Sequence, residues 1–228
     1  MILPLIFAPN HLNALMDALS VHLILPKHKT AVFLAKADLF DSKLTAALMR
    51  FAKILPAYRK ENGVENLQKN NNIFEQCVDV MRHGQAIGIM PEGGQGEEHR
   101  IRPLVKGVFR IAFEAQLQFG IVREVKIIPI GLDMGDLVKS GKHLIITIGK
   151  PINIRDYIEE YQANPSVTIN ITKQKLRQAL SESTIDIASR EYYRTIKFLS
   201  DIEGYNYVNK ECEPNATYSK ISFAGKKR

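Results

Sequence analysis

Short apolar runs alternate along this chain with longer segments in which apolar residues recur every three to four positions. Ile2 to Ala8, Ala31 to Lys36, Ala86 to Met90, Val125 to Ile130 and Leu144 to Ile148 are apolar runs of strand length, the pattern expected of strands covered on both faces. Leu39 to Ala52, Asn66 to Arg82 and Val105 to Phe119 carry the helical period between them. The alternation predicts an α/β fold, a mostly parallel central sheet flanked by helices. After Pro151 the texture changes to a short helix around Asp156 to Tyr161, a turn at Asn164-Pro165, and a charged helix from about Thr172 to Ser200. Leu176, Ala179, Leu180, Ile187, Ile196 and Leu199 supply its packing face, and Ser181 to Thr184 is the place where it can break. The expected organisation is one domain over residues 1–228: a core to about 151, a helical extension from about 152 to 208, and a polar tail over 209–228.

Composition fits that reading and narrows the setting. A chain of 228 residues with 45% hydrophobic residues can bury a full core. Cys77 and Cys212 lie far apart, and His22, His28, His83, His99 and His143 show no metal-ligand spacing, so neither a disulfide framework nor a metal site is expected. No apolar stretch reaches the roughly 20 residues that span a bilayer, and a charged signal-peptide start is missing. The net charge of +7 favours an anionic partner: a phosphorylated small molecule, an acidic carrier protein, a membrane surface or nucleic acid. For nucleic acid the charge stands alone, because no module-like spacing of basic and aromatic residues accompanies it.

The first apolar run ends in Ala8-Pro9-Asn10-His11, with Asp17 six positions after His11. In an open α/β sheet, ligands bind beyond the carboxyl ends of the strands, so His11 is placed to face a site. Six residues of regular helix would rotate the two side chains by roughly 600°, leaving them about 120° apart. The pair can meet only if His11 lies in the strand-to-helix turn, with Asn13 capping a helix that carries Asp17 in its first turns. A carboxylate on one ring nitrogen fixes the tautomer and leaves the other free to take a proton. Taken alone, such a pair is more often an ordinary turn and helix start than a catalytic dyad.

A second stretch with chemistry runs from Gly88-Ile89-Met90 into Pro91-Glu92-Gly93-Gly94, then Arg100, Arg102 and Lys106. Glycines at a strand end let backbone N–H groups approach a substrate, and the cations that follow can clamp a phosphate. The stretch is neither of the common glycine-rich nucleotide loops. Arg59, at the end of the apolar run from Ile54, offers the forked geometry that suits phosphate.

In order, these pieces resemble the glycerol-phosphate acyltransferase superfamily, which includes lysophosphatidic acid and glycerol-3-phosphate acyltransferases. Its first block of Asn-His, spacer and Asp is similar to Asn10-His11 through Asp17. Its second, an apolar run ending in Arg, is similar to Ile54 to Arg59. Its third, Pro-Glu-Gly with basic residues downstream, is similar to Pro91-Glu92-Gly93 with Arg100, Arg102 and Lys106. Its fourth, a Pro in an apolar strand, is similar to Ile127-Ile128-Pro129-Ile130. All four stand in family order across residues 8–131.

The resemblance implies that His11 is the general base on an acceptor hydroxyl and Asp17 its orienting acid, with no metal and no resident cofactor. Acyl-CoA or acyl carrier protein would be the donor, and glycerol-3-phosphate or lysophosphatidic acid the acceptor, in phospholipid synthesis. Arg59 with some of Arg100, Arg102 and Lys106 would hold the acceptor phosphate. Glu92 would order the site by pairing with one of those cations or with an acceptor hydroxyl, and N–H groups near Gly93 and Gly94 would face the oxyanion. His99 is a further contact candidate; Lys36, at a strand end, either faces the crevice or is an ordinary surface residue, and Tyr192 and Tyr193 read as packing on the sheet. The implied location is cytoplasmic and peripheral on the inner membrane face, with the apolar stretch Leu12 to Leu25 meeting the bilayer.

Three departures bear on the substrate. Five residues rather than the common four separate His11 from Asp17, which resembles a branch that includes fungal-type glycerol-3-phosphate and dihydroxyacetone-phosphate acyltransferases. Gly93-Gly94-Gln95 replaces the usual Gly-Thr-Arg, leaving Arg100 or Arg102 as the substitute cation. The family usually carries a helical or membrane-associating segment before the first strand, so a truncated or minimal member is implied, or membrane contact made elsewhere. Another lyso-lipid acceptor, such as an aminolipid, and a non-catalytic protein that binds lipid at a membrane surface are the alternatives.

Overall fold

A computed structural model describes residues 3–25, 30–57, 65–94, 96, 98–134 and 144–200. Arg59, the tail over 209–228 and Cys212 lie outside the described residues. The elements are β1 (Leu5–Pro9), α1 (Ala14–Leu23), β2 (Ala31–Lys36), α2 (Lys43–Phe51), β3 (Ile54–Ala57), α3 (Glu65–Arg82), β4 (Ala86–Gly88), α4 (Gly107–Phe119), β5 (Lys126–Met134), β6 (Leu144–Ile148), β7 (Ile152–Asn153), α5 (Ile158–Ala163) and α6 (Pro165–Ser183). Residues 193–200 are also helical.

The sheet has the order β3-β2-β4-β1-β5-β6, with β7 also paired to β5. Pairings among β1 to β5 are parallel, and those of β5 with β6 and β7 are antiparallel. The expectation of a mostly parallel α/β sheet is met. From β1 the chain crosses to β2 on one side; later it returns through β4 and reaches β5 on the other. Right-handed crossovers in opposite directions put their helices on opposite faces. Accordingly Phe7, Phe33, Ile128, Ile130 and Leu132 form a core with Ala18 and Val21 of α1. Ile6, Ala8, Ile87 and Ile127 form a larger core with α3, α4 and α6, including Cys77, Met81, Phe109, Phe113 and Leu176. Alternate residues of β1 thus serve different cores, which explains its unbroken apolar run.

Two tight places fix the layers. A Cβ on Gly88 would lie 2.3 Å from the Phe33 ring of neighbouring β2, and one on Gly131 would lie 1.9 Å from the Ser183 carbonyl at the end of α6. Pro129 sits within β5 at the junction of its two antiparallel partners, where its carbonyl accepts from Gly149 N–H at 2.9 Å. The N–H it lacks therefore falls at the corner between β6 and β7, not in a continuous ladder.

The C-terminal half corrects one boundary. Asn164-Pro165 is not a turn ahead of a helix beginning near Thr172; it starts the helix. The Asn164 side chain accepts from Val167 N–H, and Pro165 takes a first-turn position where a missing N–H costs nothing. The break expected at Ser181 to Thr184 is present, since α6 ends at Ser183 and Thr184 is extended.

Candidate active site

β1 and β4 are parallel neighbours, so Asn10-His11 and Pro91-Glu92 leave the sheet at the same edge. Asn10 anchors the first loop. Its buried side chain accepts from Leu132 N–H at 2.6 Å and donates to the Leu132 carbonyl at 3.0 Å, extending by one step the attachment of β1 to β5. Sequence reasoning placed Asn10 in a motif without a role. The signal available was an amide, able both to donate and to accept, directly after an apolar strand.

His11 then occupies the turn before α1, as the spacing argument requires. Its Nδ1 lies 2.8 Å from Asp17 Oδ2, and Asn13 N–H donates to the same oxygen at 2.9 Å. Asn13 is the N-cap residue of α1, but its side chain makes no capping bond; Asp17 takes the Asn13 N–H instead. This corrects the expected cap and shows how a spacer of five closes: one carboxylate serves both the helix start and the imidazole. Asp17 is fully buried, whereas the His11 side chain is 16% exposed. With Nδ1 engaged by Asp17, Nε2 is the ring nitrogen left for chemistry.

Glu92 joins the two loops. Its Oε1 accepts from His11 N–H at 2.9 Å, and its Oε2 accepts from Arg102 N–H at 3.1 Å and Arg102 Nε at 2.9 Å. Of the two roles foreseen for Glu92, pairing with a cation is realised. Gly96 N–H donates to the His11 carbonyl at 3.1 Å, so both backbone polar groups of His11 are held by the Pro-Glu-Gly loop. Gly93 has φ of 68°, a left-handed turn position that a glycine fills without strain. Its N–H donates to the Met90 carbonyl at 3.1 Å. The Gly93 N–H is therefore engaged within its own turn.

The other cations are arranged unequally. Arg100 pairs with Glu98 at 2.8 Å, and Arg102 pairs with Glu92. Lys106 is exposed at the N-terminus of α4. Arg59 lies outside the described residues, so the structure brings together the first, third and fourth blocks. His99 is buried, its N–H donating to the Tyr193 hydroxyl at 2.8 Å. Tyr193, read from sequence as a packing residue, thus holds the Pro-Glu-Gly loop by its hydroxyl. No group of three potential metal-ligating side chains occurs among the described residues. Burial inside the larger core pushes the Cys77 thiol up to about 12.

The sequence profile of the acyltransferase family matches residues 3–133. Among curated proteins, the chain is 28% identical over 105 residues to glycerol-3-phosphate O-acyltransferase 1 of Saccharomyces cerevisiae, covering 46% of this chain and 14% of that protein. It is 20% identical over 180 residues to a chloroplastic 1-acyl-sn-glycerol-3-phosphate acyltransferase of Arabidopsis thaliana, covering 78% and 45%. The chain thus spans less than half the length of these relatives. Among solved structures, the 1-acyl-sn-glycerophosphate acyltransferase PlsC of Thermotoga maritima aligns at a TM-score of 0.44 and 16% identity, over 78% of this chain and 67% of that one. The profile covers more than half of the residues, including the His11, Glu92 and Pro129 blocks, and the chain belongs to the acyltransferase family.

Proposed function

We propose that the protein transfers a fatty acyl group from an acyl thioester, carried by coenzyme A or acyl carrier protein, to the hydroxyl of lysophosphatidic acid or glycerol-3-phosphate. The observation that carries the reading is the His11–Asp17 pair: a buried carboxylate 2.8 Å from Nδ1 of a partly exposed imidazole. Nε2 removes the acceptor's hydroxyl proton as the oxygen attacks the thioester carbonyl. Asp17 stabilises the imidazolium that results. The tetrahedral intermediate expels the thiolate, which receives the proton from His11, leaving an ester and a free thiol. No electrons are exchanged and no covalent enzyme intermediate is formed, so the sequence balances without a resident cofactor.

Arg100, Arg102, Lys106 and Arg59 are the cations assigned to the acceptor phosphate. The names of the relatives, which specify glycerol-3-phosphate and 1-acyl-glycerol-3-phosphate, support an acceptor of this class. No described helix is long and apolar enough to cross a membrane. Helix α1 exposes Met16, Leu19 and Leu23 on the same ten-residue element that carries Asp17, which supports contact with a membrane surface where lipid acceptors reside.

The test is direct. Purified protein is incubated with acyl-CoA or acyl carrier protein donor and with glycerol-3-phosphate, dihydroxyacetone phosphate and lysophosphatidic acid in turn, following thiol release and lipid product. Transfer to at least one acceptor, abolished by His11→Ala, is expected. Absence of transfer to all three, or full activity of His11→Ala, overturns the reading.

A further inference from the structure

The segment 184–193 leaves the end of α6 and binds β5 at Asp133 and the stretch after the Pro-Glu-Gly turn at His99 and Ile101, without contributing to the dyad. At its start, the Thr184 hydroxyl donates to the Asp133 carboxylate, and Ile185 N–H donates to Asp133 Oδ1 at 2.9 Å. Asp133 follows Leu132, whose backbone holds Asn10 beside His11. Further along, Ile101 N–H donates to Asp186 Oδ1 at 2.9 Å, Ile187 N–H donates to the His99 carbonyl at 2.8 Å, and His99 N–H donates to the Tyr193 hydroxyl at 2.8 Å. The Asp186 side chain is only 6% exposed, with Arg177 Nη1 3.9 Å from its other oxygen.

Those bonds fall on the residues flanking Arg100 and leading into Arg102. The described residues from Pro91 to Lys106 contain no helix or strand, so their arrangement depends on bonds from outside. His99 and Ile101 are both buried, and their N–H groups donate to Tyr193 and Asp186, bonds that a buried donor needs. Arg100 Nη1 is itself buried with no hydrogen-bond partner among the described residues. The guanidinium is already paired with Glu98 through Nη2, so what Nη1 lacks is an acceptor, a costly state for a buried donor, and the backbone on either side of it is what the segment fixes.

We propose that residues 184–193 form a strap that positions Arg100 and Arg102 for the acceptor's phosphate, with Asp186 and Tyr193 as its positioning residues. The proposal rests on the acyltransferase reading above and deepens it: phosphate recognition is set from the C-terminal side of the fold, and proton transfer by the β1 turn. Loss of the strap changes acceptor affinity, while His11, held by Asp17 and Glu92, keeps its chemistry.

The experiment compares wild type with Asp186→Ala, Asp186→Asn and Tyr193→Phe, each checked for folding by thermal melting. Acceptor and donor kinetics are measured with lysophosphatidic acid and with the matching phosphate-free monoacylglycerol. Asp186→Ala is expected to raise the KM for the phosphorylated acceptor by about tenfold, with kcat and donor KM within about twofold. The phosphate-free acceptor is unaffected. Asp186→Asn, which keeps an oxygen for Ile101 N–H, recovers most of the loss, and Tyr193→Phe shifts the same KM by a few-fold.

An unchanged acceptor KM in a folded Asp186→Ala or Tyr193→Phe protein overturns the strap, as does an equal fall in kcat with both acceptors. If Asp186→Ala does not fold, Tyr193→Phe decides on the same readout. Wild type that transfers to no acceptor overturns the acyltransferase reading instead. The strap is then judged by calorimetric titration with inorganic phosphate: weaker binding in the variants supports it, and equal or absent binding in wild type and variants overturns it.

Discussion

Asp17 accepts from His11 and from the backbone of Asn13 through a single oxygen, so one buried carboxylate orients the imidazole and starts α1. Asp17→Asn keeps the shape but offers an amide that can donate where it should accept, and it removes the charge that stabilises the imidazolium. The expected result is a fall in kcat of about 10²- to 10⁴-fold with acceptor KM little changed, measured by steady-state thiol release. Glu92→Gln replaces a carboxylate that accepts from three N–H donors with a group that has one acceptor oxygen and an NH₂ facing a donor. It should lower stability by about 1–3 kcal/mol in urea denaturation and lower activity as well, because the same bonds hold His11 and Arg102. The dyad was legible in the sequence because strand geometry and helical rotation together leave His11 one place to be. Asn10 and Asp186 were not. Their partners, Leu132 and Ile101, are backbone groups 122 and 85 residues away, and no local spacing encodes such a meeting.

The elements were legible where one physical cause dominates. Ala31–Lys36 and Leu144–Ile148 coincide with their apolar runs. β5, in contrast, continues past Ile130 to Met134, because Gly131 and Asp133 face α6 and the segment after it instead of an apolar layer. A strand whose one side passes from apolar to small and polar loses its sequence signature while keeping its ladder. The start of α6 was misplaced for a related reason: Asn-Pro suits both a turn and a helix N-terminus, and only the packing of Thr168, Ile169 and Thr172 in the buried layer favours the second. Gly131→Ala tests the contact between β5 and α6. With backbone 1.9 Å from the added methyl, α6 must shift, and a loss of about 1–3 kcal/mol is expected from the denaturation midpoint. Asn164→Ala, at the other end of the same helix, should cost about 1 kcal/mol through its lost cap.

At the scale of the whole molecule the two sheet faces are covered unequally. Helices α3, α4 and α6 bury one face, while the described cover of the other comes from Ala18, Val21, Ile24 and Leu25, in α1 and the turn after it. The outer side of that thin layer carries Met16, Leu19 and Leu23, and α2 exposes Leu44, Leu48 and Phe51, the last at 89%. Folding leaves these side chains in water, and on the membrane contact proposed above the net charge of +7 would favour an anionic surface. A Leu side chain moved from water into the acyl boundary gains about 1.5–3 kcal/mol. A Leu19→Glu, Leu23→Glu double variant should therefore sediment with phosphatidylglycerol vesicles at least about tenfold more weakly than wild type. Both positions are exposed, so the variant should fold, and its transfer rate with water-soluble glycerol-3-phosphate should stay near wild type while that with membrane-borne lysophosphatidic acid falls. Equal sedimentation of the two proteins would mean that α1 does not meet the surface. Equal loss with both acceptors would mean that the substitutions disturb Asp17 on the same helix, separating a defect in docking from one in chemistry.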